Sequence, residues 1–361
     1  RLDLYTTENG LIDNGKVFLT ADDIDISPWL SQWVKNNSGV GEAKASLSNW
    51  IEITQGRITG SQLQIHQGEM DWSNDGTSHA LKVEDLILRM RRQENGWLAD
   101  IPYTRKITMD GEEWPDGYLA VLYQPKEKQH DEAWRIRAKN IELDRLYAVL
   151  PLFSFLTPDF VRQWQYRQFS GMVNDFALDL TPEHFEQSAI NLSWENVGWK
   201  RWQEIPSVQH FSGQLKGNMQ RGELNFALAN SEIDTGELFK APLNIEKGKG
   251  TVYWTHSGDD LSLWSEGLDV QATSAWVTGD FRYEKQGEDQ RLSILSGVRV
   301  TNAGDAWRYL PEEYVGKELT QYLSEAIIAG NIDNGTFIFH GDPADFPFDN
   351  HKGRFQVYAP V

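Results

Sequence analysis

Cysteine is absent from all 361 residues. Disulfides, thiolate metal ligands and a cysteine nucleophile are thereby excluded. Positive charge is scarce. Thirty-four lysines and arginines stand against 53 aspartates and glutamates, a net charge of −19. Binding to a phosphate backbone needs clustered cations, so nucleic acid is excluded as the main partner. A broad dock on an anionic lipid surface is disfavoured for the same reason. No stretch reaches the roughly 20 apolar residues of a membrane-spanning helix, and no secretory leader is visible. The sequence opens on Arg1 rather than methionine and stops at Val361 inside what reads as a strand. It is expected to be an internal piece of a longer protein, any anchor lying outside it.

Catalytic signatures are lacking as well. His66, His79, His130, His184, His210, His256, His340 and His351 are scattered, and no two have the helical i, i+4 spacing of a zinc pair. There is no phosphate-binding glycine loop, nucleophile elbow or dinucleotide fingerprint. No pair of carboxylates stands out as a glycosidase pair would. An enzyme is not expected, nor a cofactor or a metal. The densest oxygen-ligand cluster, Asp342, Asp345 and Asp349, lacks the spacing of an EF-hand loop. It reads as a structural turn with Phe346 and Phe348 packed inward.

What is present is apolar residue in alternation. Forty per cent of the chain is hydrophobic and 12% aromatic, with 15 tryptophans. Phe176, Leu178 and Leu180 alternate with smaller or polar neighbours. So do Ile190, Leu192 and Trp194, and Leu224, Phe226 and Leu228. Similar runs occur at Leu47–Ile53, Leu63–Ile65, Leu81–Met90, Trp134–Ala138, Val252–Trp254, Leu261–Leu263, Leu268–Val270 and Phe355–Ala359. Period two means strands with one apolar and one wet face. That pattern suits antiparallel sheet better than parallel sheet, whose strands are apolar throughout. Asn95-Gly96, Asp110-Gly111, Asp116-Gly117, Gly248-Lys249-Gly250, Ser257-Gly258-Asp259 and Asn334-Gly335 read as turns. The chain is therefore mainly β, a meander of hairpins.

Helices are expected near 144–169 and at 318–329, with weaker signals at 28–34. Thr157 and Pro158 form a start signal. Leu319, Tyr322, Leu323, Ala326 and Ile327 form an apolar stripe expected to face inward, with Gly330 as the stop. Ala21–Ser27 resembles Ala138–Asp144, each closing a strand and opening a helix. The charged loop 125–132 is the expected boundary between a β module at 1–130 and a second at 131–361. Trp194 and Trp254 are in phase with aliphatic residues and read as lining, whereas Trp50, Trp114 and Trp199 are left open between packing and a sugar-binding platform. Periodicity alone does not choose between a sandwich, which buries its apolar face against a second sheet, and a single sheet whose apolar face forms a groove. A bare groove is a large exposed apolar surface that needs a ligand. Acyl chains would supply about 0.8 kcal/mol per buried methylene.

Longer motifs carry a resemblance. Trp307-Arg308-Tyr309-Leu310-Pro311, Leu319–Gly330, Phe339–Phe348 and Gly353-Arg354-Phe355 are similar to the YhdP branch of the bacterial AsmA-like family. Phe211–Gly217, Phe239–Leu243 and Gly250–Trp254 fit the same branch, so residues 140–361 match well and 1–130 in style. The resemblance implies an elongated, curved antiparallel β-sheet forming an apolar, taco-like groove with a few short amphipathic helices. It implies a periplasmic conduit, part of an inner-membrane-anchored protein of a Gram-negative bacterium, that carries phospholipid to the outer membrane. Envelope membrane proteins at the ends of the full-length parent are the other partners implied. The expected lining, taken from the alternation, is Phe176, Leu178, Leu180, Ile190, Leu192, Trp194, Leu224, Phe226, Leu228, Val252, Trp254, Leu261, Leu263, Phe337 and Phe339. A scaffolding β-protein and a glycan-binding β-domain are the alternatives.

Overall fold

The structure, a computed structural model, describes residues 2–6, 12–30, 39–74, 76–128, 130–154, 156–203, 205–309, 312 and 316–360, without the side chains of 2, 12, 319 and 323. Its 21 strands belong to one antiparallel sheet that is not closed into a barrel, and the helices are short and few. Two compact units divide the chain, Arg1–Tyr166 with Met172–Ser188, and Arg167–Gly171 with Ala189–Val361.

The first unit holds β1 (Leu2–Thr6), β2 (Ile12–Asp25), β3 (Ala43–Thr54), β4 (Arg57–Asn74), β5 (Thr77–Val83), β6 (Leu86–Gln93), β7 (Gly96–Ile101), β8 (Ile107–Met109), β9 (Glu112–Glu113), β10 (Tyr118–Gln124), β11 (Ala133–Glu142) and most of β12 (Ser170–Leu180). The strands β1 to β4 pair in sequence. The sheet then forks. The first half of β4 pairs with β6 and leads through β7, β10 and β11 to β12. Its second half pairs with β5, which leads to β8 and β9. The run Leu81–Met90, expected as one strand, keeps a single register along β4 but is interrupted at Glu84-Asp85, where its outer edge changes partner from β8 to β7. Gln64 and Tyr103 donate to the Asp85 carboxylate at the break, at 3.0 and 3.1 Å. The Gln64 bond foremost holds that carboxyl below its ordinary value, against the opposing effect of burial.

The side branch has its own small core. Trp72, 2% exposed, packs with Met109, Ala148 and Leu152. Its indole N–H donates to the Ala148 carbonyl at 3.0 Å, which fastens α2 (Leu143–Val149) to the branch. The helix α1 spans Ser27–Leu30, and residues 31–34 of the 28–34 signal lie outside the described residues. The start signal at 157–158 holds. The Thr157 hydroxyl accepts from the Phe160 backbone N–H at 3.2 Å and caps α3 (Pro158–Arg167). The charged loop 125–132 joins β10 to β11 within this unit.

The second unit is a meander of β13 (Ala189–Trp199), β14 (Ser207–Asn218), β15 (Arg221–Asp234), β16 (Leu243–Ser257), β17 (Asp260–Ala272), β18 (Ala275–Gln286), β19 (Asp289–Val300), β20 (Ile332–Gly341) and β21 (Arg354–Tyr358). Each strand pairs antiparallel with the next. Its two rims differ. At one, β14–β15, β16–β17 and β18–β19 close through the tight turns Met219-Gln220, Gly258-Asp259 and Gly287-Glu288. At the other lie the two-residue link Thr273-Ser274 and the longer connections 200–206, 235–242 and 301–331, the last carrying a 3-10 segment at Ala303–Tyr309 and α4 (Lys317–Ala326), while the connection 342–353 between β20 and β21 lies on the first rim. We call these the hairpin rim and the helical rim.

Four expectations are corrected here. Gly248-Lys249-Gly250 is no turn but the middle of β16, and Asn334-Gly335 lies inside β20. Helix α4 ends at Ala326, before Gly330. Its stripe does not face inward where it is described. Tyr322 is 66% exposed, whereas Thr320, 1% exposed, is the buried side chain. The Thr320 hydroxyl is satisfied by the Gly316 carbonyl at 3.1 Å, so it can be buried at little cost. Leu319 and Leu323 are outside the described side chains.

Bulges recur. Asp23 and Asn140, equivalent in the resemblance between Ala21–Ser27 and Ala138–Asp144, both have left-handed φ, 50° and 54°. Asn196, His210 and Asn230 do the same in β13, β14 and β15. The Asp23 N–H donates to Ser46 Oγ and the Asn196 N–H to Ser212 Oγ, each at 3.0 Å. A serine on the next strand thus takes the donor that a bulge removes from the ladder.

Candidate functional site

Residues directly opposite one another in an antiparallel ladder lie on the same face of the sheet. Parity can therefore be followed across the second unit. Ile190, Leu192 and Trp194 face Gly217, Leu215 and Gly213. These face Gly222, Leu224 and Phe226. Next come Trp254, Val252 and Gly250, with Gly248 opposite Leu228. Trp254 faces Leu263, His256 faces Leu261 and Gly248 faces Val270. Leu263 faces Tyr283, which faces Leu292. Ile294 then faces Phe339, and Ser296 faces Phe337. All twelve expected lining residues of this unit share one face. In the first unit Phe176, Leu178 and Leu180 lie opposite Ala138, Ile136 and Trp134, also on one face.

This face is half-covered. Trp194 and Leu228 are buried, at 8% and 9% exposed, and the other lining residues are intermediate. A sandwich core would bury nearly all of them. The closed part lies at the helical rim, where Val208, Leu228, Ile245 and Ala272 form a buried cluster. Tyr309 from the 3-10 segment packs on it and bonds Ser274 Oγ at 3.0 Å.

Glycines set the depth of the lining. A Cβ on Gly213 would lie 2.8 Å from the Trp194 ring. One on Gly222 would lie 2.1 Å from the Trp254 ring, and one on Gly250 2.4 Å from Leu268. Each large side chain lies across a bare neighbouring strand. The Trp254 indole N–H is anchored by the Asn218 carbonyl at 3.0 Å. Sequence reasoning passed over Leu215, Tyr283, Leu292 and Ile294. Glycine interrupts the alternation on β14, and polar residues hide it on β18 and β19. A strand with glycine where its neighbour has tryptophan is the signal that would have found them.

The opposite face is wet. Lys216, Glu223, Tyr253, Trp264 and Arg282 form one cross-strand row. The Tyr253 and Trp264 rings stack at 5.3 Å. Partial desolvation, then Glu266 and Glu223, push the Tyr253 hydroxyl above its ordinary value. The open tryptophans resolve mostly as packing. Trp114 joins the Trp72 core, Trp199 joins the helical-rim cluster, and Trp50 rests on Phe18 at 4.9 Å. The turn after β20 is structural. Phe348 is 6% exposed and lies against Gly341 and Gly353, and the Asp342 carboxylate accepts from the Ala344 N–H at 2.9 Å. Among the described residues no helix is long and apolar enough to cross a membrane.

The family described as YhdP protein matches residues 1–361. The chain is 36% identical over 368 residues to the intermembrane phospholipid transporter YhdP of Escherichia coli (strain K12). That match covers 100% of this chain and 29% of the relative's length. No solved structure matches the chain.

Proposed function

We propose, from the premise that this chain belongs to the YhdP family, that it is a segment of a conduit carrying phospholipid between the two membranes of a Gram-negative envelope. Its place is the periplasmic part of an inner-membrane-anchored parent. Acyl chains lie along the apolar face of each unit, with Phe176, Leu178 and Leu180 as the lining in the first and Ile190, Leu192, Trp194, Leu224, Phe226, Leu228, Val252, Trp254, Leu261, Leu263, Phe337 and Phe339 in the second. Its role is passive, with no chemical step. Partner proteins of the envelope engage the ends of the parent.

The observation that supports this reading is a face that is apolar on one side of the sheet only and is no more than half-buried. An apolar face runs from β13 to β20 of the second unit, and most of its residues remain intermediate in exposure. Such a surface costs free energy in water, roughly 25 cal/mol per Å². An acyl chain removes that cost without a specific bond, so the lipid is held and still free to slide. The wet face carries the charge that keeps the protein soluble.

Photo-crosslinking in cells tests the reading. A photoreactive residue is placed singly at Leu224, Phe226 and Leu228, then at Glu223, Asn225 and Ala227, in the full-length parent, with radiolabelled phosphate in the medium. Labelled lipid at the first three positions only is expected. No label at any of the six in a folded, probe-bearing protein would remove the conduit reading and favour a scaffold.

A further inference from the structure

We propose that the hairpin rim of the second unit carries a phosphate-recognition site, with Lys285 and His256 gripping the headgroup phosphate of a glycerophospholipid whose chains lie on the apolar face. The inference rests on the lipid reading above and deepens it by naming the rim and the residues.

Two observations carry it. The first is the gradient of cover along the strands. At the helical rim Ile245, Ala272, Ala275 and Val300 are buried, at 5–8% exposed. In the middle Val252, Leu263 and Ile294 are half-buried, and at the hairpin rim His256 and Lys285 are exposed. Val277, at 38%, is the exception near the helical rim. From β16 to β18 an amphiphile on this face therefore has its wet end at the hairpin rim, whereas beyond β20 the Phe346–Phe348 turn closes that rim.

The second is the chemistry of that end. His256 faces Leu261, and Leu261 faces Lys285, in one cross-strand row. The row below it is Trp254, Leu263, Tyr283 and Leu292. A cation and an imidazole thus stand on the apolar side, one step above a wholly apolar or aromatic row. Strands β16 and β18 are two spacings apart, about 9.6 Å. A lysine and a histidine side chain can converge across that distance on one phosphate. Nearby carboxylates are placed elsewhere. Asp260 and Asp289 face Ser257 and Gln286 on the wet side, Glu284 lies there too, beside Arg282, and Asp259 and Glu288 sit in the turns. Among the described residues neither Lys285 nor His256 has a side-chain hydrogen bond or ion pair, in a chain of net charge −19. A cation left unneutralised beside so much acid, and beside an apolar floor, complements a lipid phosphate.

The test uses the purified full-length parent and two probes with identical chains, dihexanoyl phosphatidic acid and dihexanoylglycerol. The wild type is expected to bind both and to prefer the phosphate-bearing probe. Lys285→Gln with His256→Gln should cut that preference about five- to tenfold, as for loss of a charge-assisted bond, and leave dihexanoylglycerol binding unchanged. Lys285→Arg should keep the preference, and Lys249→Gln, on the wet face, should not affect it. An unaltered preference in the double variant would overturn the site. Displacement of the lipid preference by equimolar inorganic phosphate would also overturn it, by assigning the cations to free anions. Failure of the wild type to bind either probe would instead sink the lipid reading on which the site rests.

Discussion

At the scale of the residue, glycine does two unlike jobs here, and the difference can be measured. Gly222 has ordinary extended backbone, but a Cβ there would meet the Trp254 ring at 2.1 Å. Gly258 has open space around it and a φ of +60°. Gly222→Ala should therefore fail by collision, costing about 1–3 kcal/mol. Gly258→Ala should fail by backbone strain, at about 1 kcal/mol. Urea midpoints separate the two mechanisms. Adding Trp254→Leu should recover the part of the Gly222→Ala loss due to the ring, leaving the part due to the Lys216 carbonyl 2.7 Å from the new Cβ, and none of the Gly258→Ala loss. Equal recovery in both would refute the collision account. A single glycine in the sequence reads the same in either role, which is why Gly248 and Gly250 passed for a turn.

At the scale of the element, side chains that replace missing backbone partners decide how strands end and bend. Asp110 closes the β8–β9 turn, where it receives the His79 ring N–H at 2.8 Å and the Ala80 N–H at 2.8 Å. Burial pushes its carboxyl up, but those two donors outweigh burial and hold it below the ordinary value of 3.8. The native state thus takes up this proton less readily than the unfolded chain. The stabilisation is complete above about pH 4 and is lost as pH falls through the lower native value. Wild type should lose more stability between pH 7 and pH 3 than Asp110→Asn does, as followed by urea midpoints. Parallel losses would remove the pair from the account. In the same way Thr157→Ala should weaken α3 by about 1 kcal/mol, seen as faster amide exchange confined to 158–167. Such local devices were legible. The Thr157-Pro158 start, the hairpin at Ser257-Gly258-Asp259 and the alternation of β15 follow from neighbours in sequence. The bulges at Asn196, His210 and Asn230 and the fork beyond β5 and β6 were not. They depend on which strand lies alongside, and a strand cannot be read for its partner. For the candidate face, parity was legible strand by strand, but its join through Leu215 and the bare Gly213 and Gly217 needed the register.

At the scale of the whole molecule, charge and connectivity matter more than any contact. Several ion pairs, such as Lys16–Glu52, Lys82–Glu69 and Lys139–Asp175, are well exposed on both sides, and such pairs contribute roughly 0–1 kcal/mol at best. The repulsion within a net charge of −19 is the larger effect. Raising salt from about 10 mM to about 150 mM shortens the screening length from about 30 Å to about 8 Å. The melting midpoint should then rise by a few degrees in calorimetry, and a fall would mean that the ion pairs dominate. Connectivity has a consequence of another kind. Two-residue turns join β14 to β15, β16 to β17 and β18 to β19 on one rim. Loss or duplication of such a hairpin returns the chain to the same rim with every facing parity intact. A change of one strand would send the next connection to the wrong side. Inheritance can therefore alter the reach of this sheet only in steps of two strands, about 9.6 Å, so the hairpin and not the strand is the unit in which its length is counted.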